Sequence, residues 1–370
     1  MKKVGILTEY YNSRNYGGVL QAYALCRVIK ALGYSCEQIK YNVVSEKKRK
    51  RDTLKIRTSI EKIYFKIKFY GKNKKFKQFL ENNIPHSEDI YNDNTIKDSV
   101  NQYDIFVTGS DQVWNPNWKK PAYFLEFVPS DKKKIAYAAS LAVDELSESQ
   151  KLMFYRKLTG YTGISVREKS SVGLLQDLVD EKVYWTADPT LLLKQEQWDE
   201  IVPGNLMKKR YVFCYFLGHD ENNRRIVKEY AKNKGLKIVN LAHVKGNFRR
   251  SDILFADKNF YNISPTEFIS LIKFAEIVFT DSFHAVSFSS IYHKEYFVFS
   301  RDKKDSMSSR IYSMVDLFEC GTHFCNSEEK MNVEYIDSIC KIDYFRTEKK
   351  INNFREESFS FLDDKLRMNE

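Results

Sequence analysis

The chain has 370 residues and a formal net charge of +11, and 43% of its residues are hydrophobic. This length and composition exclude a disordered chain and suit two folded domains. The N-terminal apolar run ends at Thr8, which is too early for a signal peptide, and no later window could span a membrane. We therefore expect a soluble, cytoplasmic protein.

The six cysteines are scattered and form no CxxC pair. Their spacing fits no zinc-site pattern, so we expect free thiols in a reducing compartment and no bound metal.

The N-terminal residues have the pattern of a βα unit, with a strand over 3–8, a loop over 9–18 and a helix over 19–32. Apolar residues recur at helical spacing in the last range, and Gly33 ends it. Gly17 and Gly18 in the loop let the backbone approach a ligand closely, and Asn15 can cap the helix or contact that ligand. Such a loop lies at the carboxyl edge of a parallel sheet, so we expect all three residues at a binding site.

A second strand is predicted over 35–41, and residues from about 45 to 100 form a basic, mostly helical insertion. Lysines and arginines are densest over 47–77, among aliphatic and aromatic residues. Such a stretch can contact anionic lipid or a polyanionic substrate, and it is also typical of a solvated helical face. No recognisable nucleic-acid-binding module accompanies it, so we expect no nucleic-acid partner and keep peripheral contact with anionic membrane as one alternative.

The strand predicted over 103–108 leads into a polar loop at 109–116. This loop contains Ser110, Asp111, Gln112 and Trp114. Turn formation explains glycine and proline here but not an aspartate, a glutamine and a tryptophan together. We therefore expect these four residues to bind substrate, with capping of its own loop as the alternative role of Asp111.

Further strands are predicted over 134–139, 162–166 and 183–185, with a helix over 145–158. Arg167 leaves the second of these strands, where a guanidinium can bind a carboxylate or a phosphate. An ion pair with Glu168 or another neighbour is the alternative. Residues 187–190 read as the exit into a linker.

The second half again alternates strands and helices. Strands are predicted at 211–217, 237–241, 277–279 and 296–299. Helices are predicted up to residue 234, over 265–274, after 282 and from 309, and a charged helical tail follows residue 333. The third strand breaks at 280–282 and feeds a helix whose first turn contains His284. Free backbone N–H groups at such a turn bind anions, and the imidazole would lie beside the ligand. The alternative is a partly buried histidine on a packing helix.

Several motifs occur in an order that is typical of one family: Asn15–Gly18 with Leu20–Tyr23, Thr108–Asn115, Tyr137–Ser140, Ser165–Glu168, Asp188–Leu192 and Asp281–His284. Over roughly residues 4–320 the chain resembles the polysaccharide pyruvyl transferases. The resemblance implies a GT-B-like fold and transfer of the pyruvyl group of phosphoenolpyruvate to sugar hydroxyls as a ketal, with release of phosphate. It implies no cofactor beyond phosphoenolpyruvate as co-substrate.

The alternation of strands and helices predicts an α/β fold with two Rossmann-like, doubly wound domains facing each other across a cleft. We expect an acceptor-side domain at 1–195, a donor-side domain at 205–330 and a tail at 331–370 that packs back on the first domain.

By the resemblance, His284 matches the donor-site histidine and Arg167 an anion-binding arginine. A histidine with an ordinary pKa of about 6.5 can deliver a proton to the methylene carbon of the enol, and Asp111 can accept the proton of the acceptor hydroxyl. Many members carry an arginine where this chain has Ser282. Either the missing charge comes from Arg301, Arg310 or Lys294, or the donor differs.

Three functions follow as hypotheses. The first is pyruvyl transfer to a cell-surface polysaccharide or exopolysaccharide, through a lipid-linked or nucleotide-linked precursor at the inner face of the plasma membrane. The second is a GT-B glycosyltransferase that uses a nucleotide sugar, because a fold does not fix a function. The third is a non-catalytic member that binds anionic glycan or membrane through residues 47–77.

Overall fold

The structure is a computed structural model, and it describes residues 2–42, 67, 70–118, 120–242, 252, 254–301, 309–325 and 332–367. Most of the basic tract at 47–77 lies outside these residues, and so does the side chain of Arg310. Membrane contact through the tract therefore stays a prediction. Among the described helices, none is both long and apolar enough to cross a membrane.

The N-terminal half is built on a seven-stranded sheet. Its strands are β1 (Lys3–Leu7), β2 (Ser35–Tyr41), β3 (His86–Tyr91), β4 (Ile105–Thr108), β5 (Lys133–Ala139), β6 (Gly163–Val166) and β7 (Val183–Trp185). They run in parallel in the order β3-β2-β1-β4-β5-β6-β7. Ile105 and Val107 of β4 belong to one hydrophobic core and Phe106 to another, so both faces of the sheet are covered, as parallel sheets require.

Six α-helices accompany this sheet in the described residues: α1 (Tyr16–Ala31), α2 (Lys72–Asn83), α3 (Glu148–Leu158), α4 (Lys169–Gln176), α5 (Pro189–Leu192) and α6 (Gln195–Asp199). Helix α3 begins where Ser147 and Gln150 form a capping box. One sequence prediction is wrong here. Gly17 and Gly18 lie in the first turn of α1 and not in the loop, because Asn15 already takes the extended conformation of an N-cap residue. The described part of the predicted helical insertion contains α2 and also β3, which forms the edge of the sheet.

The described residues of the C-terminal half repeat the plan with six strands: β8 (Tyr211–Tyr215), β9 (Lys237–Leu241), β10 (Lys258–Phe260), β11 (Ile277–Thr280), β12 (Glu295–Phe299) and β13 (Phe324–Cys325). All pair in parallel in the order β10-β9-β8-β11-β12-β13. Its helices are α7 (Glu221–Asn233), α8 (Pro265–Lys273), α9 (Phe283–Ile291), α10 (Ser309–Leu317), α11 (Val333–Ser338) and α12 (Tyr344–Arg367). The predicted α/β fold with two doubly wound domains is confirmed.

The C-terminal helix α12 returns to the first domain. Its Phe354 ring lies 4.3 Å from the ring of Trp185 in β7. Arg355 Nε donates a hydrogen bond to the Leu191 carbonyl at 2.7 Å, and Ser358 Oγ accepts one from the backbone N–H of Ala187 at 2.9 Å. These contacts hold the segment between β7 and α5 against the C-terminal helix.

One hydrophobic core continues across both domains. The ring of Tyr16 in α1 stacks on Phe268 of α8 with centroids 5.0 Å apart. Trp198 of α6 meets Phe288 of α9 edge-on at 4.9 Å. Because buried aromatic pairs of this kind are worth more than their area alone, the two sheets are held in a defined relative position.

Candidate active site

The candidate site lies where two switch points meet. The strand order reverses between β1 and β4 in the first sheet and between β8 and β11 in the second. In open α/β sheets, ligands bind outside the carboxyl ends of the strands at such a point. The loops after β1 and β4 carry Asn15 and Asp111, and α9, which follows β11, carries His284.

Asp188 is at the centre of the site. Its Oδ1 accepts hydrogen bonds from the backbone N–H of Thr190 at 3.0 Å and from the Thr190 hydroxyl at 2.7 Å, which caps α5. Its Oδ2 accepts from Arg167 Nη1 at 3.0 Å and from Ser110 Oγ at 3.2 Å. The same oxygen lies 3.6 Å from His284 Nε2, across the domain boundary. The Asp188 carboxylate thus contacts the loop after β4, the residue that follows β6, and the first turn of α9.

Charged neighbours keep Asp188 ionised. Burial alone would raise the pKa of Asp188, but the charges of His284 and Arg167 and the hydrogen bond from Thr190 outweigh it and hold that pKa well below its usual range. At neutral pH, Asp188 therefore faces the imidazole as a fixed negative charge.

Arg167 is buried among carboxylates, with its side chain 1% exposed. Besides Asp188, its neighbours are Asp111, whose Oδ1 is 3.5 Å from Nη2, and Glu168, whose Oε1 is 3.7 Å from Nε. The guanidinium carbon also lies 4.5 Å from the ring centroid of Phe283 in the second domain. Burial would lower the pKa of Arg167, but the three carboxylates raise it. Arg167 thus forms ion pairs with neighbouring carboxylates, which was the alternative role considered from the sequence. Binding of a substrate anion by Arg167 stays a prediction.

The balance of charge in this cluster is negative. Asp111, Glu168 and Asp188 face one guanidinium, and Glu168 is held in place by the Ser140 hydroxyl and by the Leu141 N–H, which donates at 3.3 Å. Such surroundings stabilise a cationic centre and repel an anionic one. The carboxylates of this cluster therefore oppose the binding of an anionic substrate group.

His284 packs directly on the first domain. It lies in the first turn of α9 and is 8% exposed. A Cβ atom built on Gly17 would come within 1.9 Å of His284 Nδ1, so only glycine leaves room for the imidazole. From the sequence, Gly17 was expected to contact a ligand. In the structure it contacts the imidazole of His284.

Asp111 lies at the edge of the same cluster. Its φ of 65° is in the left-handed region, and such strain in a non-glycine residue is often found at functional sites. Its Oδ2 accepts a hydrogen bond from Asn15 Nδ2 at 3.4 Å, and a Cβ on Gly18 would lie 3.1 Å from that oxygen. Asn15 is exposed, and the half-buried Gln112 uses its amide oxygen to accept from Asn115 at 3.3 Å.

Unsatisfied polar atoms are concentrated at this site. In the part of the chain that the structure describes, five buried side-chain atoms lack a hydrogen-bond partner, and three of them are Arg167 Nε, Arg167 Nη2 and His284 Nε2. Each such atom costs about 1–3 kcal/mol if nothing satisfies it. Their clustering indicates a position that a bound group completes.

The facing edge of the second sheet is held mainly by backbone groups. The Asp281 carboxylate accepts hydrogen bonds from the N–H groups of Leu217 at 2.7 Å and Gly218 at 2.6 Å. Arg301 Nε donates to the Asp281 carbonyl at 3.2 Å, and the Arg301 side chain is 15% exposed. Burial raises the pKa of Asp281, and Arg301 and the backbone donors oppose this only in part. Ser282 is the N-cap residue of α9, and its side chain makes no capping hydrogen bond.

Two residues considered from the sequence lie elsewhere. Trp114 is fully buried, with its ring stacked on Phe124 at 5.8 Å and its Nε1 donating to the Tyr123 carbonyl at 3.2 Å. It is a core residue and does not line the cleft. Lys294 precedes β12 and so lies at the amino edge of the sheet, opposite the site, whereas Arg301 follows β12 at the carboxyl edge.

The central role of Asp188 was not predicted from the sequence. Residues 187–190 looked like an exit into a linker, but Asp188-Pro189-Thr190 is also the pattern of a capped helix start, and this signal was available. No group of three or more His, Cys, Asp or Glu side chains suited to a metal ion occurs among the described residues.

Comparison with known proteins places this geometry in a family. The family model described as polysaccharide pyruvyl transferase matches residues 15–303. The chain belongs to the polysaccharide pyruvyl transferase family. No curated protein sequence matches the chain.

Solved structures that resemble this family member share its fold at low sequence identity. UDP-GlcNAc 2-epimerase from Neisseria meningitidis, bound to UDP-GlcNAc, is 14% identical with a TM-score of 0.53 over 100% of both chains. The S. aureus MnaA–UDP structure is 13% identical with a TM-score of 0.51, covering 98% of this chain and 91% of that one. These similarities establish a GT-B-like fold for this pyruvyl transferase family member, and nothing finer.

Proposed function

We propose that this protein transfers the pyruvyl group of phosphoenolpyruvate to sugar hydroxyls of a cell-surface polysaccharide or its lipid-linked precursor. The product is a pyruvate ketal, and phosphate is released. The observation that carries the proposal is the buried cluster of His284, Asp188, Arg167 and Asp111 between two switch points, in a chain of this family.

The reaction requires a proton on the methylene carbon, a cationic centre at the neighbouring carbon and two hydroxyl groups. His284 delivers the proton, and Asp188 keeps the imidazole oriented and stabilises its positive charge. One hydroxyl adds to the cationic carbon while Asp111 accepts its proton. The carbon–phosphate oxygen bond then breaks, and phosphate takes the electron pair together with the proton held by Asp111. The second hydroxyl adds to the same carbon and closes the ketal, and its proton returns to His284. The three carboxylates around Arg167 stabilise the cationic stages.

The anionic groups of phosphoenolpyruvate bind on the other side of the cleft. The first turn of α9 presents backbone N–H groups at the carboxyl edge of the second sheet, and Ser282 lies at its N-cap. Arg301, next to Asp281, supplies the positive charge that the carboxylate-rich cluster lacks.

The decisive experiment measures phosphate release from phosphoenolpyruvate with a pool of glycan precursors. We expect acceptor-dependent release by the wild type and a loss of at least about 10²-fold in His284→Ala, the usual scale for a general acid or base. The matched control is His293→Asn, because His293 is exposed, pairs with Glu348 at 3.1 Å and has a φ of 51° that asparagine tolerates. It should retain wild-type turnover.

Two results would contradict the proposal. Near-normal turnover in a folded His284→Ala variant would remove His284 from the mechanism. Failure of the wild type to bind phosphoenolpyruvate, together with binding of a nucleotide sugar, would favour the glycosyltransferase hypothesis.

A further inference from the structure

Helix α12 is attached to both domains, and in each domain it is bonded beside the element that carries one partner of the Asp188–His284 contact. Near its start, the Tyr344 hydroxyl donates a hydrogen bond to the Lys294 carbonyl. The N–H of Lys294 donates to the Ser289 carbonyl of α9 at 2.8 Å, and α9 carries His284 in its first turn. The first turn of α12 is therefore fixed to the C-terminal end of α9.

Two side chains further along α12 hold the chain on either side of Asp188. Ser358 Oγ accepts a hydrogen bond from the N–H of Ala187 at 2.9 Å, and Arg355 Nε donates one to the Leu191 carbonyl at 2.7 Å. Ser358 is fully buried, and Arg355 is 6% exposed. The residue before Asp188 and the third residue after it are thus both bonded to a single turn of α12.

Helix α5, which begins directly after Asp188, is too short to hold itself in place. It has four residues, whereas isolated helices shorter than about 12 residues are marginal in water. Side chains from other elements must therefore fix its position. Tyr137 of β5 donates its hydroxyl proton to the Ala187 carbonyl at 3.0 Å, and Trp198 of α6 contributes a further hydrogen bond. Both belong to the first domain, whereas α12 also joins this segment to the second domain.

We propose that α12 is a positioning element for the proton transfer, and that its Ser358 is a positioning residue that keeps Asp188 against the imidazole of His284. The inference rests on the proposed function, which assigns the proton transfer to His284. Asp188 Oδ2 and His284 Nε2 lie 3.6 Å apart across the domain boundary, so a small displacement of either residue changes their contact. A helix bonded beside both residues keeps that separation constant.

This role involves a segment that family membership does not address. The family model matches the chain only as far as residue 303, and α12 begins at Tyr344. Ser358 acts through the backbone N–H of Ala187 and touches no reacting atom. Its loss should therefore change the position of Asp188 and leave the donor-binding edge of the second sheet as it is.

The direct test follows the His284 imidazole by NMR in the full chain without substrate. Protein with ¹³C-labelled histidine gives imidazole signals from six histidines, and the signal of His284 is the one that His284→Ala removes. Ser358→Ala removes the acceptor of the Ala187 N–H and adds no volume. We expect it to move the His284 signal by more than its linewidth and to leave that of His86, on the edge strand β3, in place. The matched control, Ser360→Ala, removes the same hydroxyl from an exposed position of α12 and should move neither signal.

Turnover provides a second readout. Ser358→Thr keeps a hydroxyl that can accept from Ala187 and donate to the Phe354 carbonyl, as the serine does, whereas Ser358→Val has nearly the same shape and no hydroxyl. Both variants add one methyl group, so their comparison isolates the hydrogen bonds. We expect kcat of Ser358→Val to lie at least about tenfold below that of Ser358→Thr, with equal KM for phosphoenolpyruvate. The same pair repeats the NMR test if Ser358→Ala does not fold.

The possible outcomes separate this proposal from a structural role and from the proposed function. An unmoved His284 signal in folded Ser358→Ala would overturn the positioning role, and so would equal kcat in Ser358→Thr and Ser358→Val. A lower melting temperature without either change would show that α12 only stabilises the fold. If the His284 signal moves while no acceptor supports phosphate release by the wild type, the positioning of His284 stands and the proposed function fails.

Discussion

Asp188 and Asp281 are both buried aspartates at the carboxyl edge of a parallel sheet, but they are held in different ways. Asp188 receives hydrogen bonds from Arg167 and Ser110 as well as from the backbone, and it faces His284. The Asp281 carboxylate receives its hydrogen bonds from two backbone N–H groups. Charged neighbours lower the pKa of Asp188, whereas burial raises the pKa of Asp281.

This difference indicates that the two aspartates have different roles in the cleft. At Asp281, the two backbone donors and the Arg301 charge, with Nε 3.8 Å from Oδ1, do not offset the cost of burial, so Asp281 shapes the loop after β8. Positive side chains offset that cost and also respond to charge that develops in a ligand, so the edge around Asp188 is suited to chemistry. Three experiments test whether the two edges really differ in this way.

The largest effect on turnover is expected where Gly17 of the first domain contacts His284 of the second. Gly17→Ala places a methyl group within 1.9 Å of the original position of His284 Nδ1, so the imidazole must move away from Asp188. We expect turnover to fall at least about 10²-fold, since small displacements of a catalytic group are costly. Turnover and melting temperature measure the effect.

The matched control is Gly173→Ala. A Cβ at Gly173, within α4, has no neighbour within 4 Å, so turnover should be unchanged and stability should rise by about 0.5–1 kcal/mol. If the clash with the ring is the cause, the double variant Gly17→Ala/His284→Ala will be no less stable than His284→Ala alone. A double variant that is clearly less stable would show that Gly17 serves α1 and not the histidine.

The next variants compare the arginines of the two edges. Arg167→Lys keeps the charge but loses the fork that reaches Asp188 and Asp111, so we expect kcat to fall about tenfold or more with little change in the donor KM. Arg301→Lys should mainly raise the KM for phosphoenolpyruvate, by about fivefold. Steady-state kinetics with phosphoenolpyruvate as the varied substrate distinguish them. The reverse result, with the donor KM raised by Arg167→Lys, would restore the anion-binding role expected from the sequence.

Much of the fold was readable from the sequence because its strands are short, buried apolar runs between polar turns. Strand β2 has the predicted bounds, and the predicted bounds of β4 and β12 differ from the structure by only one or two residues. Strand β3 was missed because its sequence, His86 to Tyr91, is polar and three of its residues are exposed at the sheet edge. Strands β10 and β13 are too short to give a periodic signal.

The site was only partly readable, for a different reason. Its motifs identified His284, Arg167 and Asp111, which the structure brings together through Asp188. The role of Asp188 depends on a contact with a residue 96 positions away in the other domain, and no local pattern records that distance. Trp114 was misplaced because an aromatic residue in a polar loop resembles a binding residue until its partner Phe124 is known.

The smallest effect, and the sharpest comparison, is the dependence of stability on pH. A carboxylate whose pKa is lowered on folding contributes stability above its unfolded pKa of about 3.9, and that stability is lost as the pH falls through the folded pKa. Asp188→Asn should therefore cost stability at pH 7, on the order of 1–3 kcal/mol for a lost charged hydrogen bond, and the difference from wild type should shrink below about pH 4.

Asp281 has the opposite sign. Its pKa is raised on folding, so the wild type gains stability from this group as the pH falls from neutrality through the folded pKa towards the unfolded value of about 3.9. Asp281→Asn abolishes that gain, so the difference in unfolding free energy between this variant and wild type should grow as the pH falls. Over the same range, above about pH 4, the difference between Asp188→Asn and wild type should stay constant. Urea-unfolding midpoints between about pH 3 and 7.5 measure both curves. Parallel curves for the two variants would mean that the surroundings of Asp281 and of Asp188 stabilise a buried carboxylate equally well, and the distinction between the two edges would be lost.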